Sequence, residues 1–254
     1  MEPLATTSDH PIARPAYLLW GLIADVAIAV YTIGFGIVCI ALTLVTRKSW
    51  PVDVLAPIWC RWIVKVCGIQ IDVEGLENLD PKKSYVIISN HLSNFDIWAT
   101  LAALPLKIRF VAKQELTKVP VFGQALALSD HIVIDRKNPE QAIKRINARV
   151  ASQIDEGFCI LFYAEGTRSS DGKVHAFKKG GVTLAINIGL PIVPMSVSGT
   201  RKFLPKRSVI IRPGGRVRIV LDKPIETKGY SIEQRDALNE LVRSIVVKNF
   251  IEDY

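Results

Sequence analysis

Cysteine is scarce and unpatterned. The four cysteines of this 254-residue chain, Cys39, Cys60, Cys67 and Cys159, form no CxxC pair and no metal-ligand spacing, which excludes a disulfide framework and a zinc site. Each lies in an apolar stretch, as buried reduced thiols do, and this fits a reducing, cytoplasm-facing setting. Cys159, inside Phe158-Cys159-Ile160-Leu161, has the context of a strand interior rather than of a nucleophile. A G-x-S-x-G elbow is missing, so the serine-hydrolase signature is absent. Repeats, low-complexity tracts and nucleic-acid-binding motifs are missing too. The net charge of +8 therefore points to anionic headgroups or phosphorylated substrates and not to nucleic acid. No basic leader followed by a short apolar core and a small-residue cleavage site opens the chain, so a secretory signal is not expected. His10, His131 and His175 have no metal-like partner set.

Charge is nearly missing from one stretch. Ala16 to Val45 carries only Asp25, and Val26 to Thr46 is uncharged, about as long as the roughly 20 residues that cross a bilayer. With Asp25 at the interface, this segment is expected to be a membrane anchor. Arg47 and Lys48 close it, and a positive flank belongs on the cytoplasmic side of an inner or endoplasmic-type membrane, which turns the rest of the chain toward the cytoplasm. Gly34 and Gly36 permit a bend, so a spanning and a re-entrant anchor both remain open. After Trp50-Pro51, the residues Leu55, Ile58, Trp59, Trp62, Ile63 and Val66 share one helical face opposite Arg61 and Lys65. That amphipathic helix suits either the headgroup layer or the surface of a core, and Cys67-Gly68 ends it. The expected organisation is a polar tail over 1–15, an anchor helix plus amphipathic helix over 16–68, and a catalytic domain over 69–254.

That domain alternates strand and helix signals. Strands are expected to begin near Gln70, Tyr85, Arg109, Ile132, Cys159, Ile192 and Val217. Asn138 and Pro139 open a helix with a stripe of Ile143, Ile146, Val150 and Ile154, closed by Gly157; Ser231 and Gln234 form a capping box before a last covering helix. The fold class is α/β, with a mixed, largely parallel sheet flanked by helices and preceded by an N-terminal membrane-associated helical segment.

The chemistry centres on one strand end. Tyr85 to Ile88 forms a core strand, and His91 follows at its carboxyl end, where open α/β sheets bind ligands. Ser93 and Asp96 match a capping box for the next helix. Asp96 has two candidate roles: a helix cap, or the partner of one His91 ring nitrogen, fixing the tautomer so that the other nitrogen accepts a hydroxyl proton. Three further blocks follow in order: Arg109-Phe110-Val111-Ala112-Lys113-Gln114-Glu115-Leu116 with Pro120 and Gly123, Phe162 to Ser169, and Pro191 to Gly199. Beyond its strand, Gly166 allows a tight turn, and Arg168 offers a planar fork to phosphate oxygens or a local ion pair with Glu165. Phe177-Lys178-Lys179-Gly180-Gly181 precedes a helix signal and suits an anion site or a surface hairpin.

Together with Asn90-His91 and Asp96, these blocks resemble the glycerolipid acyltransferase family, most closely the 1-acylglycerol-3-phosphate acyltransferases, over roughly Val73 to Asp222. The resemblance implies that His91 and Asp96 are catalytic. It also implies that Glu165, Gly166, Thr167 and Arg168 bind the acceptor's glycerol phosphate, with Lys113 as a second phosphate ligand. The expected reaction moves a fatty acyl group from acyl-CoA or acyl carrier protein to the sn-2 hydroxyl of lysophosphatidic acid, with no cofactor beyond the donor. Partners are then the bilayer, the lysophospholipid and the donor. Acylation of another lysophospholipid, CoA-independent transacylation, an acyl-ester hydrolase and a silent lipid-binding module are the alternatives. The basic series Arg201, Lys202, Lys206, Arg207, Arg212, Arg216 and Arg218 suits anionic lipid, an acidic carrier protein or plain solvation.

Overall fold

The computed structural model describes residues 13–134, 157–208 and 210–254. Helix α1 (Ala13–Thr46) runs without a break through Gly34 and Gly36, and begins within the stretch expected to be a polar tail. α2 (Trp50–Val66) follows, with Pro51 in its first turn, and ends at Cys67 and the left-handed Gly68. A seven-stranded sheet is then built from β1 (Ile69–Glu74), β2 (Val86–Ser89), β3 (Lys107–Lys113), β4 (Ile132–Ile134), β5 (Phe158–Tyr163), β6 (Ile192–Ser198) and β7 (Gly215–Leu221). All seven expected strands are present, each beginning within two residues of its expected start. Strand order is β1-β7-β6-β2-β5-β3-β4, and the β6–β7 pair alone is antiparallel.

Helices cover both faces. Ile87, Leu161 and Val193 face α2 and α3 (Phe95–Ala103). Val86, Ile88 and Ile192 face α5 (Gly180–Ile188) and α7 (Arg235–Asn249). Because successive side chains alternate across a strand, neighbouring residues in β2 serve the two cores, and all four of its residues are buried. α4 (Phe122–Leu128) and the short α6 (Thr200–Phe203) complete the helices among the described residues. Ser231 and Gln234 do form a capping box, which opens a 3-10 turn leading into α7. The helix expected after Asn138 lies outside the described residues.

α1 is apolar on all sides, yet one stripe of it is committed to the domain. Trp20 Nε1 donates to the Val66 carbonyl, Asp25 accepts from the Ile211 amide, Tyr31 stacks on Trp62 at 3.6 Å, and Trp59 Nε1 donates to Thr32. Gly36 lies so close to Val121 that a Cβ there would come within 2.4 Å of its methyl. Leu19, Ile23, Val26, Val30, Ile33 and Ile37 on the opposite side are about half exposed or more. In α2, Cys60, Ile63 and Val64 are buried with Trp59 and Trp62 packed beside them. Ile58, expected on the same face, is instead exposed with Trp50 and Val54. A helix wedged between α1 and the sheet buries a wider arc than a surface helix and leaves a narrow apolar strip outside.

Candidate active site

β2, β3, β5 and β6 run parallel, so their carboxyl ends share one edge of the sheet. His91 follows β2, Glu165 to Arg168 follow β5, Lys113 ends β3 and Thr200 follows β6. The topology thus gathers residues more than a hundred positions apart. Asn90 anchors the loop by bonding both the amide and the carbonyl of Val197, each at 2.9 Å.

Asp96 takes the second of its candidate roles, as the partner of His91, and it also pins the loop before α3. Its Oδ2 lies 2.6 Å from His91 Nδ1 and also accepts from the amides of Leu92 at 2.8 Å and Ser93 at 3.0 Å. Its Oδ1 accepts from the Thr200 hydroxyl. The expected capping box is rearranged: Asn94 is the cap residue of α3, and Ser93 Oγ accepts from the Phe95 amide while donating to the Leu204 carbonyl. Asp96 is fully buried, but His91 retains 12 % side-chain exposure, and its Nε2 has no protein partner among the described residues. Asp96 engages the Nδ1 edge of the ring, so Nε2 is the nitrogen left to accept a proton.

Glu165 is buried, and its two oxygens accept from the amides of His91 at 2.9 Å and His175 at 3.2 Å. Burial raises its pKa, with those two amides opposing the shift. The Glu165–Arg168 ion pair considered above is not formed among the described residues, and Arg168 is half-buried without a hydrogen bond or ion pair. Gly166 turns with φ of +72°, and a Cβ there would lie 2.9 Å from Lys178 Nζ, so the glycine lets the lysine pass over the turn. Thr167 is exposed. Lys113 is half-exposed at the end of β3 and pairs with Glu115 at 3.0 Å.

The stretch expected as a hairpin around His175 is a pinned loop. The Lys178 amide donates to the Ala164 carbonyl at 2.7 Å, His175 Nε2 lies 2.8 Å from Asp171, and Arg243 donates to the His175 carbonyl. All four cysteines are free and buried, and burial pushes Cys159 up to about 11, which leaves it an inert thiol at neutral pH. Among the described residues no His/Cys/Asp/Glu group is placed to hold a metal.

Beside the site opens an apolar cavity lined by Phe35, Trp59, Ile97, Leu101, Phe110 and Phe122 among others. Residues from α1, α2, α3, β3 and α4 meet there, so no local pattern announces it. Thr200 and Tyr163 carry no mark of a site role in the sequence, and Lys178 is marked only as one cation of a candidate anion site after the Glu165 to Arg168 turn. Thr200 is 104 positions from the carboxylate it serves, and Tyr163 looks like any strand residue until its neighbours are known.

A His–Asp pair at a parallel-sheet edge, next to a cationic turn and an apolar cavity, defines an acyltransferase domain, and the profile described as Acyltransferase matches residues 70–198. The chain belongs to this acyltransferase family. It is 32% identical over 228 residues to a 1-acyl-sn-glycerol-3-phosphate acyltransferase of Limnanthes alba, covering 84% of this chain and 80% of the relative. It is 33% identical over 198 residues to one from Pseudomonas aeruginosa, covering 76% of each. The crystal structure of the 1-acyl-sn-glycerophosphate (LPA) acyltransferase PlsC from Thermotoga maritima superposes with a TM-score of 0.77 at 25% identity, covering 93% of this chain and 95% of that one.

Proposed function

We propose that the chain transfers a fatty acyl group from a thioester donor, acyl-CoA or acyl carrier protein, to the sn-2 hydroxyl of lysophosphatidic acid, giving phosphatidic acid. The observation that carries this reading is the 2.6 Å His91–Asp96 contact, which leaves Nε2 free beside the Glu165–Arg168 turn. The acceptor hydroxyl gives its proton to His91 Nε2 as its oxygen forms the new bond to the thioester carbonyl carbon. The tetrahedral intermediate then expels sulfur, and the imidazolium returns the proton to the leaving thiolate. Asp96 stabilises that imidazolium, a base contribution of roughly 10²–10⁴-fold. Arg168 and Lys178 supply charge for the acceptor phosphate, Thr167 lies exposed beside them, and the apolar cavity takes acyl chain. Glu165 acts from behind the turn, through the amides of His91 and His175. Lys113 stays in its expected role only by leaving Glu115 for the phosphate.

The test follows, by mass spectrometry, products from a panel of lysophospholipids with each donor, using detergent-purified protein with His91→Ala and Arg168→Ala alongside. Phosphatidic acid from the wild type is expected, lost in His91→Ala and formed with weakened acceptor affinity in Arg168→Ala. Turnover only on another lysophospholipid replaces the substrate, and thioester loss without acylated product makes the protein a hydrolase.

The same reading places the protein on a membrane by α1. Its contacts with α2 run from Trp20 to Cys39, about 28 Å of helix at ~1.5 Å per residue, and between them Asp25 and Gly36 meet Ile211 and Val121 of the catalytic domain. A perpendicular crossing would carry the flank of the domain into the hydrocarbon. α1 therefore lies along the surface of the cytoplasmic leaflet with its exposed apolar face inward. Cysteines introduced at Pro15 and Arg47 should label from the same side of sealed vesicles; labelling from opposite sides means a span.

A further inference from the structure

We infer that Tyr163 is a positioning residue for the base, acting through the face of its ring, and this rests on the acyl transfer proposed above. The Tyr163 ring stacks on the His91 imidazole with centroids 4.2 Å apart and planes 17° from parallel. On its other side Phe110, which lines the apolar cavity, lies nearly parallel at 6.3 Å. The catalytic imidazole is thus the end member of a three-ring stack. Hydrogen bonding to Asp96 fixes one edge of the imidazole but leaves it free to rock about the Nδ1–Oδ2 axis. A ring lying flat on the face removes that freedom, and so fixes the direction in which Nε2 points.

The contact also discriminates between the two charge states of His91. When Nε2 takes the acceptor's proton, the ring becomes a cation lying on the negative π-face of Tyr163, an attraction absent from the neutral imidazole. Charged groups facing His91 are Asp96 from α3 at Nδ1 and Glu165 from the turn after β5 at its amide, with His175 and its partner Asp171 one step further through Glu165. Among the described residues, Tyr163 is the ring that meets the imidazole face. Its phenol has no part in this. The hydroxyl is buried, is turned toward Thr100 and has no well-formed hydrogen bond, and burial with the nearby Asp96 charge holds its pKa well above the usual tyrosine value. An aromatic face is what the position requires, and a hydroxyl is not.

The experiment measures kcat, KM and the kcat–pH profile of the full protein in detergent, with palmitoyl-CoA and lysophosphatidic acid, for the wild type and Tyr163→Phe, Tyr163→Leu and Tyr163→Met. Tyr163→Phe should stay within about twofold in every parameter. Tyr163→Leu should lose about tenfold in kcat at nearly unchanged acceptor KM, and its acid limb should move to lower pH because the imidazolium has lost its π-face. Should the leucine variant fail to fold, Tyr163→Met, which fills a similar volume without a ring, should show the same pattern. Wild-type kcat and pH profile in a folded leucine or methionine variant overturns the inference, as does a tenfold loss in Tyr163→Phe, which would put the function in the hydroxyl. A wild type that makes no phosphatidic acid overturns the acyl-transfer reading instead, so the two failures are distinct.

Discussion

Asp96 combines two roles that are usually separate, since the carboxylate that pins the loop before α3 through the Leu92 and Ser93 amides is also the partner of His91. Asp96→Asn keeps the size and one acceptor oxygen but turns either an amide donor or an uncharged oxygen toward Nδ1. The expected result is a kcat loss of roughly 10²–10⁴ with a nearly unchanged melting temperature, read by product formation and circular dichroism. Glu165→Gln offers one acceptor oxygen where two amides need one each. It is expected to lower stability by about 1–3 kcal/mol in chemical denaturation and to lower kcat, because the displaced amide belongs to His91 or His175. In the wall of the cavity, His131 is partly buried, and desolvation followed by the Arg109 charge depresses its pKa from 6.5 to about 3. Below pH 6.5 the unfolded chain takes up a proton that the folded chain refuses, so stability falls as pH drops from about 6.5 to about 3, at up to ~1.4 kcal/mol per pH unit. His131→Gln, which can still accept from the Phe110 amide, should flatten the stability curve over that window.

At the scale of elements, the junction between α1 and the domain depends on close approach. Gly36 faces Val121 at the start of α4, whereas a Cβ at Gly34 would meet nothing within 4 Å. Gly36→Val should therefore lower the melting temperature by an amount equivalent to about 1–3 kcal/mol, and Gly34→Val should leave it near the wild-type value. Equal effects of the two would show that α1 does not seat on α4 in this way. Because Gly36 and Phe122 both line the cavity, the first change should also alter which acyl chain lengths are used. α2 is tied to the sheet from its other end. The guanidinium of Arg109, buried in β3, grips Asp53 with both terminal nitrogens, the second at 3.0 Å, and lies 3.7 Å over the Phe158 ring.

At the scale of the molecule, α1 and α2 both expose apolar residues, the latter Trp50, Val54 and Ile58, and the basic balance of +8 is a separate contribution. The two respond differently to salt. The Debye length is about 3 Å at 1 M, so a charge-held protein leaves the membrane there, whereas burial of apolar surface is not screened. Protein transferred from detergent onto phosphatidylcholine vesicles should remain in the pellet after washing in 1 M sodium chloride. Release by that wash would mean that charge, and not α1, holds it.

Patterns that are local belong to the sequence. Alternation and β-branching placed all seven strands, the uncharged run placed α1, and His91 with Asp96, five positions apart in one loop, stood out in the company of the three blocks that follow in order. The same holds for the Glu165 to Arg168 turn, whose glycine and arginine declare its geometry and charge. What the tertiary structure decided is every relation between segments distant in the chain. Thr200 behind Asp96, Lys178 across Gly166, the Tyr163 ring under His91 and the cavity between five elements exist only once the parallel strands have brought their carboxyl ends to one edge. Whether Asp96 caps or orients, and whether Glu165 pairs with Arg168 or holds two amides, was undecidable from spacing. Each depends on which donors come within about 3 Å, and folding alone fixes that.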